Sequence, residues 1–138
     1  MVKVDNYEVP EGLYYTEEFE WVKIENGKVR TGITDYAQKQ LREIVYAELP
    51  MKGDAVEQNE PYGTVESVKS VSDLVAPLSG TVEEVNRKIQ DSPEILNEDP
   101  YEEGWLLVIK PSNLKEELKN IMNFKQAVQW HKSLLEEK

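Results

Sequence analysis

The residues of this chain that can do covalent chemistry converge on one stretch, Gly63-Thr64-Val65-Glu66-Ser67-Val68-Lys69-Ser70-Val71-Ser72-Asp73. Val65, Val68 and Val71 are interspersed with Thr, Ser and charged residues, the composition of a half-buried hairpin whose tip carries Lys69. A two-residue hairpin prefers Asn-Gly, Asp-Gly or Gly-X at its centre, because those residues accept positive φ. The centre here is Val68-Lys69, and a β-branched residue suits such a turn poorly. Local turn chemistry gives no reason for that choice, so a tip presenting one lysine amine is a candidate site. Taken alone, Lys69 is a solvated surface lysine like most others.

Other chemistries are thinly provided for. There are no cysteines, which excludes disulfides, thiolate metal sites and cysteine nucleophiles. Any thiol chemistry would have to borrow its sulfur from a cofactor. The one histidine, His131, lies in a helix-like tail; a multi-histidine zinc site is impossible, and a Ser-His-Asp triad would have to use that residue. No phosphate loop or nucleophile elbow is present, so an independent enzyme finds no support. The formal net charge of −11 argues against nucleic acid and anionic lipid as partners and suits docking onto basic patches of other proteins, although plain solubility explains it equally.

The elements that must position Lys69 are short. At 138 residues the chain is one domain by the usual prior. Residues 1–12 end in Val9-Pro10-Glu11-Gly12 and read as a loosely attached N-terminal arm. Residues 13–138 read as a single domain, with the Lys69 hairpin inside a core of about 44–86 and helices over about 113–136. Asn26-Gly27 between two alternating runs predicts a hairpin with a type I′ turn. Thr34 is set to cap a helix over Asp35 to Leu41, and Asn113 with Glu116 reads as a capping box for a helix reaching Met122. Asn123 opens a second helix with Phe124, Ala127, Val128, His131, Leu134 and Leu135 near one face. Gly53, Gly63 and Gly80 are expected to serve turns. Tyr36, Tyr62 and Trp105 are expected to be core or half-buried aromatics. Many short strands with terminal helices predict a mostly β sandwich or barrel. No apolar run spans a membrane and no signal peptide opens the chain, so a cytoplasmic location is expected, or a mature form whose transit peptide is missing.

Gly63-Thr64-Val65-Glu66-Ser67-Val68-Lys69-Ser70 resembles the lipoyl-attachment motif of the glycine cleavage system H protein family. Thr31-Gly32-Ile33-Thr34-Asp35-Tyr36-Ala37-Gln38, the segment from Ser92-Pro93 through Asn97-Glu98-Asp99-Pro100-Tyr101, and Gly104-Trp105 resemble that family too, so the likeness covers nearly the whole chain from about Leu13. It implies a barrel-sandwich hybrid of the lipoyl and biotinyl carriers. It implies lipoate joined as an amide to Lys69 by a lipoyl ligase or transferase. Glu66, three residues before Lys69, reads either as a residue the ligase recognises or as an ordinary polar strand residue. Biotin carriers flank their lysine with methionines, and Val68 and Ser70 point away from them. The implied role is carrier and co-substrate, not enzyme. The decarboxylating P protein (glycine decarboxylase) loads an aminomethyl group, the T protein (aminomethyltransferase) passes its carbon to tetrahydrofolate, and the L protein (dihydrolipoyl dehydrogenase) reoxidises the arm. A monomer is expected.

Three departures mark this chain. Phe19 stands before Glu20-Trp21 where the family commonly has histidine, and Arg42 and Glu102 stand where it has glycine. They keep a second reading open, an H-like lipoate-binding protein serving sulfur oxidation with heterodisulfide-reductase-like partners or relaying lipoyl groups. A third reading, an unmodified interaction module, predicts that Lys69→Arg changes nothing in the cell.

Overall fold

A computed structural model describes residues 2–136, which leaves Met1, Glu137 and Lys138 of the expected arm and domain outside the described residues. The strands are β1 (Val2–Val4), β2 (Tyr7–Val9), β3 (Tyr14–Tyr15), β4 (Glu20–Glu25), β5 (Lys28–Ile33), β6 (Ile44–Glu48), β7 (Ala55–Val56), β8 (Pro61–Ser67), β9 (Val71–Val75), β10 (Gly80–Val85) and β11 (Leu107–Pro111). The helices are α1 (Asp35–Leu41), α2 (Arg87–Asp91), α3 (Ile95–Glu98), α4 (Leu114–Glu117) and α5 (Phe124–Glu136). β4 and β5 meet at Asn26 (φ 51°) and Gly27 (φ 79°), the two left-handed residues that a type I′ turn requires.

Six strands form one sheet in the order β3-β4-β5-β11-β10-β7, and β6-β8-β9 form a second. Their inner faces supply one apolar core: Val22, Val29, Val82, Leu107 and Ile109 from the first, Ile44, Ala47, Val65 and Leu74 from the second. The mostly β architecture with short peripheral helices is as expected. Among the described residues neither sheet closes into a barrel, and the two sheets with their short peripheral helices are those of the expected hybrid fold. Gly63 and Gly80 serve close approach within strands and not turns, because a Cβ would run into the Glu48 carbonyl at one and the Lys110 carbonyl at the other.

The segment from Asn97 to Trp105 is a hub. Pro100 O accepts from Trp21 Nε1 at 2.9 Å, and the Tyr101 hydroxyl donates to Glu8 O at 2.7 Å while accepting from Asp35 N at 2.9 Å. These bonds tie the N-terminal strands to α1, and Val4 and Val9 are buried beside Trp21, Tyr15 and Ala127. The N-terminal segment is therefore docked as a β1-β2 hairpin, a correction to the loose attachment expected; its apolar face needs the same second core as α5.

Two helix expectations change. Asn113 makes no side-chain cap, and α4 gives way to a 3-10 turn over Leu118–Asn120. Glu117 is occupied elsewhere, accepting from Ser79 N at 2.7 Å and Ser79 Oγ at 2.6 Å. Asn123 does cap α5, by a reciprocal pair with Gln126 at 2.9 Å in each direction.

Candidate functional site

The tip is a turn over Ser67–Ser70 closed by Ser67 N donating to Ser70 O at 2.8 Å. Ser67 is buried, and its hydroxyl accepts from Lys69 N at 3.1 Å and Ser70 N at 3.0 Å. Val68, Lys69 and Ser70 are all absent from the positive-φ residues. Local turn chemistry therefore does account for a tip without glycine: a serine hydroxyl replaces the turn that Asn-Gly would make. Val68 N also donates to Glu43 O at 3.1 Å, which anchors the tip to the start of β6. Lys69 is exposed, and among the described residues its amine has no ion pair or hydrogen bond.

Four exposed large apolar residues lie on the tip and on the strand paired beside it. Val68 is 67% and Val71 64% exposed, with Val45 and Tyr46 on the neighbouring strand. Tyr46 pairs with Glu66, and Glu66 with Val71, so the three form one row across the outer face of the β6-β8-β9 sheet. Glu66 thus lies on the face beside the lysine with its carboxylate in solvent.

On the other side of the tip an open bowl of about 590 Å³ is lined by Lys3, Asn6, Tyr7, Lys39, Gln40, Arg42 and Lys69. Gln40 also lines a narrower, mostly apolar cleft of about 150 Å³. Ile33, Tyr36, Leu41 and Leu74 supply its apolar walls, and Glu18, Glu20 and Asp73 its carboxylates. The bowl and the cleft meet at Gln40, which lines both.

Phe19 flanks that cleft in a left-handed conformation (φ 65°), which a bulky residue holds only at a cost of roughly 1–3 kcal/mol. Its ring stacks on Tyr36 (centroids 4.9 Å) and on Trp130 of α5 (5.1 Å). His131 packs edge-on to Tyr36 at 5.8 Å, and its Nδ1 lies 2.8 Å from Ala127 O. Burial lowers the His131 pKa, so this histidine is a neutral packing residue. Tyr36 is buried as expected, and Tyr62 is half-buried with its hydroxyl committed to Glu20.

Glu20 is the unexpected member. It is 2% exposed, accepts from Tyr62 Oη at 2.8 Å and from Val75 N at 2.9 Å, and touches Thr31 Oγ1 at 3.5 Å. Burial is the dominant influence and pushes its pKa up to about 8, although those donors favour the anion. The signal available in sequence was a lone glutamate inside an apolar-flanked strand, Phe19-Glu20-Trp21-Val22. Among the described residues no His, Cys, Asp or Glu group has the arrangement of a metal site, and no helix is long and apolar enough to cross a membrane.

The family model described as Glycine cleavage H-protein matches residues 13–134. A probable glycine cleavage system H protein from Pyrococcus furiosus is 53% identical over 135 residues, covering 97% of this chain and all of that one. A glycine cleavage system H protein from Halalkalibacterium halodurans is 52% identical over 122 residues, covering 87% and 95%. The crystal structure of a glycine cleavage system H protein from Mycobacterium marinum superposes with a TM-score of 0.73 at 37% identity, covering 80% of this chain and 97% of that one.

Proposed function

The chain belongs to the glycine cleavage H-protein family, and from that premise we propose that it is the lipoyl-bearing shuttle of a glycine cleavage system, with lipoate in amide linkage to Lys69. The observation that carries this reading is an exposed lysine, without a side-chain partner among the described residues, on a tip that Ser67 holds rigid. A ligase needs both access to the amine and a fixed geometry around it, and this tip supplies both. The residues fit the group: the amine is exposed and unpaired among the described residues, and the bowl and cleft beside it offer room for an arm and its cargo.

When bound, the lipoyl group supplies a dithiolane that carries a one-carbon unit and cycles between disulfide and dithiol, chemistry this cysteine-free chain lacks. The chain's own residues hold, shelter and present it. Tethering at Lys69 keeps the reactive end at high effective concentration near a docked partner. Tyr36, Leu41 and Leu74 exclude water from the cleft, and Glu18, Glu20 and Asp73 suit a cargo bearing an ammonium group. Such a cation favours the ionised form of Glu20, offsetting the burial that keeps its proton on. The chain is then a carrier and co-substrate, not an enzyme. It works as a monomeric cytoplasmic unit of residues 13–138 with the N-terminal β1-β2 hairpin docked on it. It is loaded by the P protein, unloaded by the T protein, reoxidised by the L protein and lipoylated by a ligase or transferase that reads Glu66.

Intact mass with peptide mapping, before and after treatment with lipoyl ligase, ATP and lipoate, tests this. One lipoyl increment at Lys69 is expected; none, with the ligase active on a control, overturns it. Phe19 favours a second reading, an H-like lipoyl carrier serving sulfur oxidation or lipoyl relay, because its ring between Tyr36 and Trp130 leaves no imidazole at the cleft. Glycine–bicarbonate exchange with P protein separates the two: the shuttle supports it and the second carrier does not.

A further inference from the structure

Arg42 ends α1 with φ 71° and ψ −144°, a conformation that glycine adopts freely and other residues avoid. Two bonds hold it there. Its N–H donates to Gln38 O at 2.9 Å, and its carbonyl accepts from Asn97 Nδ2 at 2.6 Å. The strained backbone keeps a guanidinium on the wall of the bowl that Lys69 shares with Lys3 and Lys39. In a chain of formal charge −11, that lining holds four cationic side chains and no carboxylate. Lys39 is paired with Asp35 at 3.3 Å, whereas among the described residues Lys3, Arg42 and Lys69 have no carboxylate within ion-pairing distance. A concave cluster of unpaired cations in an acidic molecule concentrates positive potential at one place. A planar guanidinium offers parallel donors that match phosphate oxygens two at a time.

We propose that the bowl is an anion subsite for the phosphoryl group of an activated acyl donor, an acyl-adenylate, as its carbonyl is delivered to the Lys69 amine. The inference rests on the acylation of Lys69 proposed above. In the step, the amine nitrogen forms the amide bond to the carbonyl carbon. The bond from that carbon to the phosphate oxygen breaks, its electron pair leaves with the nucleotide, and the nitrogen's proton passes to solvent. The phosphate is one bridging oxygen from the carbon under attack. Whatever enzyme holds the donor, the leaving phosphate comes within reach of the groups that flank the amine. Arg42 and Lys3 face the charge as it is released.

The test is an NMR titration of the unacylated protein with AMP, with inorganic phosphate and, in parallel, with a glutamate-rich peptide. The native chain is compared with Arg42→Gly, whose backbone relaxes, and with Arg42→Lys. AMP is expected to shift amides of the bowl at least as readily as phosphate. Its affinity should fall roughly tenfold in Arg42→Gly and recover in part in Arg42→Lys, as expected for one charge-assisted contact. Equal AMP affinity in Arg42→Gly, phosphate binding without AMP, or a response to the peptide alone overturns the proposal. The rate of Lys69 acylation by lipoyl ligase, followed by intact mass, should fall about tenfold in Arg42→Gly in step with the AMP affinity; an unchanged rate also overturns it. If the native chain is not acylated while a control protein is, the reading of Lys69 itself has failed, and the AMP titration separately decides whether the bowl binds phosphate.

Discussion

The tip around Lys69 takes its shape from consecutive residues, Ser67 to Ser70, whereas the cleft beside it joins segments as distant in sequence as Glu18 and Leu74, with Trp130 stacked behind its Phe19. The tip is exposed, apolar at its flanks and, among the described residues, without an internal partner at its amine. The cleft holds a left-handed phenylalanine and a buried carboxyl, and that Phe19, just before β4, stacks on Tyr36 of α1 and on Trp130 of α5. A locally determined site can be altered without disturbing the fold. A site assembled from distant segments cannot, and its chemistry shares the energetics of the core.

Lys69→Arg gives the sharpest break. It should abolish the lipoyl mass increment entirely while leaving the melting temperature unchanged, since an exposed side chain without partners contributes little to stability. A large loss of stability would mean that the tip is not independent. Glu20→Gln should act in the opposite sense, on stability and not on attachment. Below the ordinary carboxyl value of 4.5 both folded and unfolded chains hold this proton; above it the unfolded chain loses the proton while burial keeps it on the folded one up to about 8. Stability should therefore fall as pH rises through that window, with a slope approaching one proton, about 1.4 kcal/mol per pH unit. Urea unfolding across the window should show this slope in the native chain and a flatter one in Glu20→Gln. Parallel slopes would mean that the donors Tyr62 and Val75 already keep Glu20 ionised, giving the cleft a standing negative charge.

Trp130→Ala tests whether the two regions are coupled. Losing the stack on Phe19 and the edge contact with His131 should cost about 2 kcal/mol, less than for a fully buried tryptophan because this one is half-exposed. Acylation of Lys69 should proceed at the native rate in the folded variant. A slower rate would show that α5 sets the tip through Phe19 and α1.

The same contrast explains what could be read from residues alone. The β4-β5 hairpin, the caps at Thr34 and Asn123 and the placement of Lys69 at an exposed tip follow from local chemistry, and all were legible. The role of Ser67 was local too, yet the glycine rule for two-residue turns obscured it. Burial of Glu20, docking of the β1-β2 hairpin and the hub at Pro100 and Tyr101 depend on which distant segments meet, and no periodicity encodes that. The capping box at Asn113 is not made, and its Glu116 turns to Lys119 at 3.4 Å instead. Ser79, far away in sequence, engages the neighbouring Glu117, and the helix that the box should open lasts one turn.

The smallest effect is expected at Glu66, and it bears most directly on how a partner reads the tip. Glu66 lies between Tyr46 and Val71 in a row on the outer face, and among the described residues its carboxylate makes no hydrogen bond or ion pair. Glu66→Gln keeps the shape and removes only the charge, so stability should stay within about 0.5 kcal/mol. If a ligase reads that charge, its kcat/KM for this protein should fall a few-fold, and the loss should shrink as salt screens the native interaction. The product should still be a single increment at Lys69. Unchanged kcat/KM at low salt would place recognition on the apolar flank of Val68 and Val71 instead. The tip would then be presented by shape and hydrophobic contact alone, and the charges around it would serve the bowl on its other side.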